Sequence, residues 1–320
     1  MNNPNLDNHL LSERNLDLKK LTSILIRFRL LFVVVTSLFT FSVIIYSLTI
    51  PNTYISKAIL SPTEEQSIMD QFAGSYGGIA TLAGINLRSQ SDMNNSQKAL
   101  EKINTLSFFE ESILPNIFLP DLMAVKSWNE SNNTISYKED LYDVASEKWV
   151  REYSFPKTQV PSSQESFDVF HDNLDVSEKG NGFITISVKH QSPFIAKKWT
   201  ELVVHELNHF FRSKDKDEAQ AALDYLNKQI AKTKFVEVKQ AIAQILQQKT
   251  QQLTLIEVTD FYVFEYIDYP VVMEKRASPN RLLISFIGVI LGSIIGLISV
   301  LIRYFFFNKH NLVSSFLEKE

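Results

Sequence analysis

The sequence contains no cysteine, which excludes disulfide bonds, a thiolate nucleophile and any cysteine-ligated metal site. It also lacks an excess of basic charge, because 32 Lys and Arg against 36 Asp and Glu give a net charge of −4. That balance excludes a generally basic nucleic-acid binder. Residues 71–87 are rich in glycine, but they lack the spacing of a dinucleotide or phosphate loop, so the sequence predicts no nucleotide cofactor.

Charge is absent from two long apolar runs, Leu30 to Ile50 and Leu282 to Ile302, each of 21 residues. As a helix, each run would span about 31 Å, roughly the thickness of one hydrocarbon core. The first run follows a long polar leader and has no clear small-residue cleavage site, which favours an uncleaved anchor over a signal peptide. Its length argues against the alternative of a buried core helix.

The basic residues near the first run predict its orientation in a membrane. Only Lys57 follows within 20 residues, whereas five basic residues precede the run: Arg14, Lys19, Lys20, Arg27 and Arg29. The second run has basic residues at both ends, and two spans place both termini on the same side. The sequence therefore predicts a cytoplasmic segment at 1–29, a span at 30–50, an outer domain at 51–281, a span at 282–302 and a cytoplasmic tail at 303–320.

Alternation of apolar and polar residues predicts a sheet in the outer domain. The predicted strands are Tyr54 to Leu60, the hairpin arms Leu174 to Glu178 and Phe183 to His190, and Phe261 to Asp268. Two of these strands adjoin the apolar runs, so we expect the sheet to close the domain over the bilayer. Residues 96–112 are predicted to be helical, and residues 121–162 to be irregular with short helices.

A long stretch without helix breakers follows the hairpin, since residues 194–269 contain no proline and residues 183–287 no glycine. The pattern predicts an amphipathic helix at 194–213 and a second helix at 215–258, which would reach about 66 Å if continuous. Its apolar stripe is thin for a closed core and indicates packing against neighbouring subunits. The alternative is two shorter helices with a kink inside one globular domain.

The segment 205–209 fits the pattern H-E-x-x-H, in which His205 and His209 would bind zinc and Glu206 would act as general base. Helix phase argues against this function, because the apolar face of the helix points away from His205. No third ligand follows at a family spacing. The sequence therefore predicts no catalytic residue and no metal site, and a membrane-anchored zinc metallopeptidase stays as an alternative function.

Gly288, Gly292 and Gly296 recur every four residues in the second apolar run. They fall on one helix face and would let another backbone approach closely. Thr36 and Thr40 form a similar, weaker pair in the first run. We interpret these five residues as a packing face between transmembrane helices; the alternative is that glycine is simply common in such helices.

Four segments of this sequence match the pattern of one known family: residues 50–62, 173–199, 225–234 and 262–281. In them the chain resembles the Wzz-type chain-length determinants, the polysaccharide co-polymerases of Gram-negative inner membranes. The family's membrane-proximal proline segment corresponds here to Pro270, Ser278 and Pro279. Met273 and Asn280 depart from it, standing where a second proline and a lysine are common. The tail after Arg303 has no nucleotide-binding motif or tyrosine cluster, as in the kinase-free class.

The resemblance implies an α+β membrane protein, with two transmembrane helices flanking a periplasmic α/β base domain and a long protruding helix. It further implies a non-enzymatic, ring-like homo-oligomer that sets the modal length of a lipid-linked, O-antigen-like polysaccharide made by a separate polymerase. The polymerase is then the expected partner, with the lipid-linked glycan as a further candidate and nucleic acid excluded. The other alternative, a two-span receptor or channel subunit, is disfavoured because neither span carries an ionisable residue.

Overall fold

The computed structural model describes residues 18–63, 95–180, 182–259 and 261–317. The chain divides into two compact units. We call them the helix unit, Met1–Asn52 with Ser278–Glu320, and the central domain, Thr53–Ala277. The glycine-rich segment 71–87 and Asn181 of the predicted hairpin turn lie outside the described residues.

The helix unit contains the two apolar runs as helices. A short helix, Leu18–Arg27, precedes the first apolar helix, Arg29–Thr49, and the second apolar helix is Arg281–Leu317. Both helices are long and apolar enough to cross a membrane. Only 6% and 22% of their most apolar windows are buried, whereas the core helix of a soluble protein would be mostly buried. This exposure argues against the core-helix alternative.

The central domain is built on a four-stranded antiparallel sheet with the order β6-β7-β1-β8. The domain's strands are β1 Tyr54–Pro62, β2 Val125–Asn129, β3 Thr134–Tyr137, β4 Tyr142–Asp143, β5 Lys148–Trp149, β6 Leu174–Glu178, β7 Ile184–His190 and β8 Phe264–Asp268. All four predicted strands are present, and the strands that adjoin the two apolar helices, β1 and β8, are neighbours. β8 begins three residues later than predicted.

The helices of the central domain include α1 Asn95–Ile103, α2 Leu119–Met123, α3 Ser163–Asn173, α4 Pro193–Lys232 and α5 Val236–Val258. A run of short helical turns between Leu106 and Asn116 links α1 to α2. The first half of α4 packs on one sheet face, where β1 and β7 alternate buried apolar residues. Burying this face supplies most of the apolar core, since each strand presents every second residue to it.

The long helical stretch differs from the prediction, because it breaks at residues 233–235 and not near 214. Charged residues around 214 face solvent, and the buried Ala219 and Leu223 continue the apolar face of α4 beyond them. At the break, Thr233 and Phe235 adopt extended backbone angles, and the chain reverses. The prediction of one helix from 215 to 258 is therefore wrong, and two antiparallel helices form instead.

Contacts between α4 and α5 show that they form a hairpin. Lys216 Nζ lies 3.0 Å from Glu257 Oε1, and Arg212 donates a hydrogen bond to the Thr259 carbonyl at 3.3 Å. Ile256 is buried between the helices and the core. At 1.5 Å per residue α4 is about 60 Å long and α5 about 35 Å, so part of α4 extends well beyond the sheet.

Residues 121–162 also differ from the expectation of irregular chain with short helices. After α2 they form two small antiparallel pairs, β2 with β3 and β4 with β5. Aromatic contacts hold this region together, including a T-shaped pair of Tyr142 and Trp149 at 5.3 Å between ring centroids. β3, β4 and β5 have four residues or fewer and show little alternation, and β2 is largely polar, so no pattern revealed them.

Candidate functional site

The structure brings the glycine face of the second apolar helix against the first apolar helix. A β-carbon on Gly288 would lie 2.9 Å from Val43 Cγ1, and one on Gly296 would lie 2.7 Å from Thr36 Oγ1. At Gly292 the nearest atom would be the backbone carbonyl oxygen of Thr36, at 3.1 Å. All three positions are therefore too close to the neighbouring helix for a larger side chain without a shift.

Thr36 and Thr40 stand opposite the middle glycine. The Thr36 hydroxyl donates a hydrogen bond to the Gly292 carbonyl at 3.3 Å, and the Thr40 hydroxyl would lie 3.4 Å from a β-carbon on Gly292. Hydrogen bonds between helices and close packing together hold helices in contact in lipid, and each such bond contributes about 0.6 kcal/mol on average. The five residues singled out in the sequence thus lie at one helix–helix contact.

The residues of the proline segment are divided between the two units. In the central domain Pro270 is buried, and the next residue is fixed to β1 because the Ser56 hydroxyl donates to the Val271 carbonyl at 2.9 Å. In the helix unit Ser278 is exposed and Pro279 is buried. Asn280, where the family commonly has lysine, caps the second apolar helix, because its Oδ1 accepts the Leu283 N–H at 3.3 Å.

The H-E-x-x-H segment lies in the first half of α4, with its histidines facing away from the core. His205 and His209 are exposed, and their rings stack with centroids 6.3 Å apart. The residues between them that face the core are Leu207 and Asn208. Among the described residues, no group of three or more His, Cys, Asp or Glu side chains gathers as a metal site would require.

Asn208, inside that motif, has a role that sequence reasoning missed. Its Oδ1 accepts hydrogen bonds from the N–H groups of Val263 and Phe264, at 2.7 and 3.0 Å. Its Nδ2 donates to the Phe264 carbonyl at 3.1 Å and to the Val204 carbonyl at 3.2 Å. This buried amide therefore pairs with the backbone just where β8 begins, and it fixes that strand to α4.

His190 is a second buried polar group that the sequence left without a role. Its Nε2 donates to the Asp121 carbonyl at 2.9 Å, and its Nδ1 accepts the Ser192 N–H at 2.9 Å. The ring is therefore neutral, and burial lowers its pKa below the ordinary value. The Trp199 ring packs edge-on at 5.0 Å between centroids. His190 joins the end of β7 to α2 and to the start of α4.

Arg151 and Glu165 form the tightest charged contact among the described residues. Arg151 Nη1 and Nη2 donate to the two carboxylate oxygens of Glu165 at 3.1 and 2.8 Å. These bonds lower the pKa of Glu165 to about 2. Glu165 also completes a capping box with Ser162 at the start of α3. The ion pair joins Arg151 to the first turn of α3 and so fixes the chain between them, which is a structural role.

A comparison with models of protein families agrees with the resemblance seen in the sequence. A family model described as Wzz, chain length determinant protein, matches residues 14–107, which include the first apolar helix and β1. The resemblance to the Wzz-type chain-length determinants is therefore confirmed. No curated protein sequence matches the chain significantly.

Solved structures of co-polymerases are also similar to this chain. One is described as a full-length bacterial polysaccharide co-polymerase, with 14% identity and a TM-score of 0.38 over 90% of this chain and 97% of that chain. Another is a fragment of WzzB, a polysaccharide co-polymerase from Salmonella Typhimurium, with 16% identity and a TM-score of 0.28 over 71% of this chain and all of that chain.

Proposed function

We propose that this protein is a kinase-free co-polymerase that sets the modal length of a lipid-linked, O-antigen-like polysaccharide made by a separate polymerase. The single observation that carries the proposal is the match of residues 14–107 to the chain length determinant family. The match covers the first apolar helix and the strand after it, and it includes one of the four segments that carry the resemblance in the sequence, residues 50–62.

The same proposal places the chain in the bacterial inner membrane with both termini in the cytoplasm. Two exposed apolar helices of sufficient length support two spans. The charge difference across the first helix supports a cytoplasmic N-terminus. The domain between the spans, residues 51–281, is then periplasmic.

We also propose that the protein acts as an oligomer and not as an enzyme. The far part of the α4–α5 hairpin carries apolar side chains that find no cover among the described residues, including Phe235, Val236 and Val238, which are 72%, 72% and 45% exposed. Exposed apolar groups of this size on a long helix pair support packing against further copies. The polymerase is the expected second partner.

Deletion of the gene tests the proposed function. We expect polysaccharide synthesis to continue with a broadened length distribution, because a regulator without catalytic groups controls where chains stop and not whether bonds form. The measurement is the glycan ladder on a gel, compared with the parent strain and with the deletion strain carrying the gene on a plasmid. Complete loss of polymer, restored by the plasmid, would point instead to a polymerase or exporter.

The alternative of a zinc metallopeptidase has its own test. We expect His205→Ala with His209→Ala to leave the glycan ladder and the thermal unfolding of the protein unchanged, because both rings are exposed. Glu206→Gln, which would remove a general base, should be equally silent. One zinc ion per chain by elemental analysis, lost in the double variant, would contradict the co-polymerase interpretation of this motif.

A further inference from the structure

The sheet face that α4 leaves uncovered carries a cavity of about 390 Å³. This volume lies within the range of pockets that hold small molecules, about 300–1,000 Å³. The cavity belongs entirely to the central domain. Its lining comes from all four strands and from the segment after β8: Lys57, Ile59, Asp175, Ser177, Lys179, Thr185, Ser187, Asp268, Tyr269, Val271 and Met273.

The register of the sheet places these side chains side by side. Asp175 on β6 lies opposite Ser187 on β7, which lies opposite Lys57 on β1. Two residues along, a second row runs through Ser177, Thr185 and Ile59, and Ile59 also pairs with Asp268 on β8. Because side chains of a strand alternate between faces, both rows point away from α4. The result is a floor of hydroxyl groups with charged groups around it.

The charges around the cavity have both signs. Two lysines, Lys57 and Lys179, stand with two carboxylates, Asp175 and Asp268. Within the described part of the chain, none of these four groups forms an ion pair. An anion would meet the carboxylates and a cation would meet the lysines, so the cavity favours a neutral ligand with many donors and acceptors.

Thr185 gives independent support for a ligand. The residue is 8% exposed, and its hydroxyl oxygen is buried without a hydrogen-bond partner among the described residues. A buried hydroxyl without a partner is unfavourable, and native structures keep few of them. Ser187, beside it in β7, is likewise buried and lines the same cavity. Both hydroxyls are placed to bond a polar molecule that enters the cavity.

The remaining lining is mainly apolar. It consists of Ile59, Val271 and Met273 with the neighbouring Tyr269. A sugar ring presents the same combination of groups, since its hydroxyls point outward around a ring whose faces carry C–H groups. We propose that this cavity binds a short segment of the saccharide chain. The identity of the saccharide rests on the proposed function. That the ligand is neutral and rich in hydroxyl groups rests on the lining of the cavity alone.

The binding test uses the full-length protein in detergent micelles. The probe is a set of oligosaccharides released by mild acid from the polysaccharide of the same cells. Binding is measured by calorimetry and by the methyl signal of isotope-labelled Met273, with Met123, outside the cavity, as the internal reference. We expect saturable binding that shifts the Met273 signal and leaves the Met123 signal in place.

Two variants test the site itself. Thr185→Val removes the hydroxyl that lacks a partner, so it should weaken binding about 3- to 10-fold while leaving thermal stability equal or higher. Asp175→Asn with Asp268→Asn should weaken binding about tenfold or more, because hydrogen bonds to charged groups are the stronger ones. The matched control is Asp168→Asn with Asp172→Asn, two exposed residues of α3 outside the cavity, and it should bind as the parent does.

Several outcomes would overturn the inference. These are no binding by the parent protein, binding that both cavity variants leave intact, and binding of inorganic phosphate in place of saccharide. A Met273 shift that follows protein concentration without saccharide would show that a second copy covers this face. If no saccharide binds but gene deletion broadens the glycan ladder, the proposed function stands and only the assignment of this cavity is wrong. If gene deletion leaves the glycan ladder unchanged while the oligosaccharides still bind saturably, the cavity binds saccharide but has no part in length control.

Discussion

Replacing Asn208 by alanine is expected to destabilise the central domain strongly. The substitution leaves the N–H groups of Val263 and Phe264 and the Phe264 carbonyl without their partner inside the core. Each buried polar group without a partner costs about 1–3 kcal/mol, so the loss is roughly 3 kcal/mol or more. For a domain of this size, that loss lowers Tm by about 6–12 °C.

The measurement is thermal unfolding of the purified protein followed by circular dichroism. Asn208→Leu separates the two causes, because leucine restores side-chain volume without restoring any hydrogen bond, and it should be about as unstable as the alanine variant. Asn227→Ala makes the same chemical change at an exposed position of the same helix and should shift Tm by less than about 2 °C. Equal Tm values for Asn208→Ala and Asn227→Ala would show that the backbone at β8 does not depend on this amide.

Gly292→Leu is expected to abolish normal length control while leaving the central domain folded. A β-carbon at this position would already lie 3.1 Å from the Thr36 carbonyl oxygen, and leucine adds three more carbon atoms. Helices in lipid associate through close packing and hydrogen bonds, since apolar burial gives them little drive to associate. The substitution would therefore separate the two helices and break the bond from Thr36 to the Gly292 carbonyl.

Leucine suits lipid well, so insertion and membrane levels should stay normal. The expected readout is a broadened or shifted glycan ladder at a protein level equal to the parent's. Gly292→Ala should give a smaller effect, because one methyl group requires a shift of only a few tenths of an ångström. The control is Leu291→Ile, a change on an exposed face of the same helix. Wild-type ladders from both Gly292→Leu and Leu291→Ile would show that close approach of these helices is not needed.

The sequence predicted those parts of the fold whose residues repeat with a clear period. The apolar residues of β7 fall at every second position, and the glycines at 288, 292 and 296 recur every four residues, so their faces could be assigned. The break at 233–235 could not be found in this way. It contains neither proline nor glycine, and the chain reverses there because α5 packs back on α4. Tertiary contacts, and not local preference, fix that position.

The buried polar residues were missed for a related reason. Asn208 stands in a helix among apolar positions, and nothing in its neighbours indicates that its partners lie more than 50 residues later. The cavity residues are equally scattered, since Lys57, Thr185 and Asp268 come together only through strand pairing. The periodicity of apolar residues shows which face of a single helix or strand is buried. Sites such as these depend on which helices and strands become neighbours in the fold.

The ends of the central domain meet, because the Ala277 N–H donates to the Thr53 carbonyl at 2.8 Å. If the intervening chain of about 225 residues were an unfolded loop, bringing its ends together would cost about 5 kcal/mol in chain entropy. Because the folded domain already holds its two ends together, association of the apolar helices does not lose this chain entropy again. The helices associate as if a short tether joined them. Their contact can therefore be weak and still persist. By the same coupling, a substitution that unfolds the domain should also release the helices from each other.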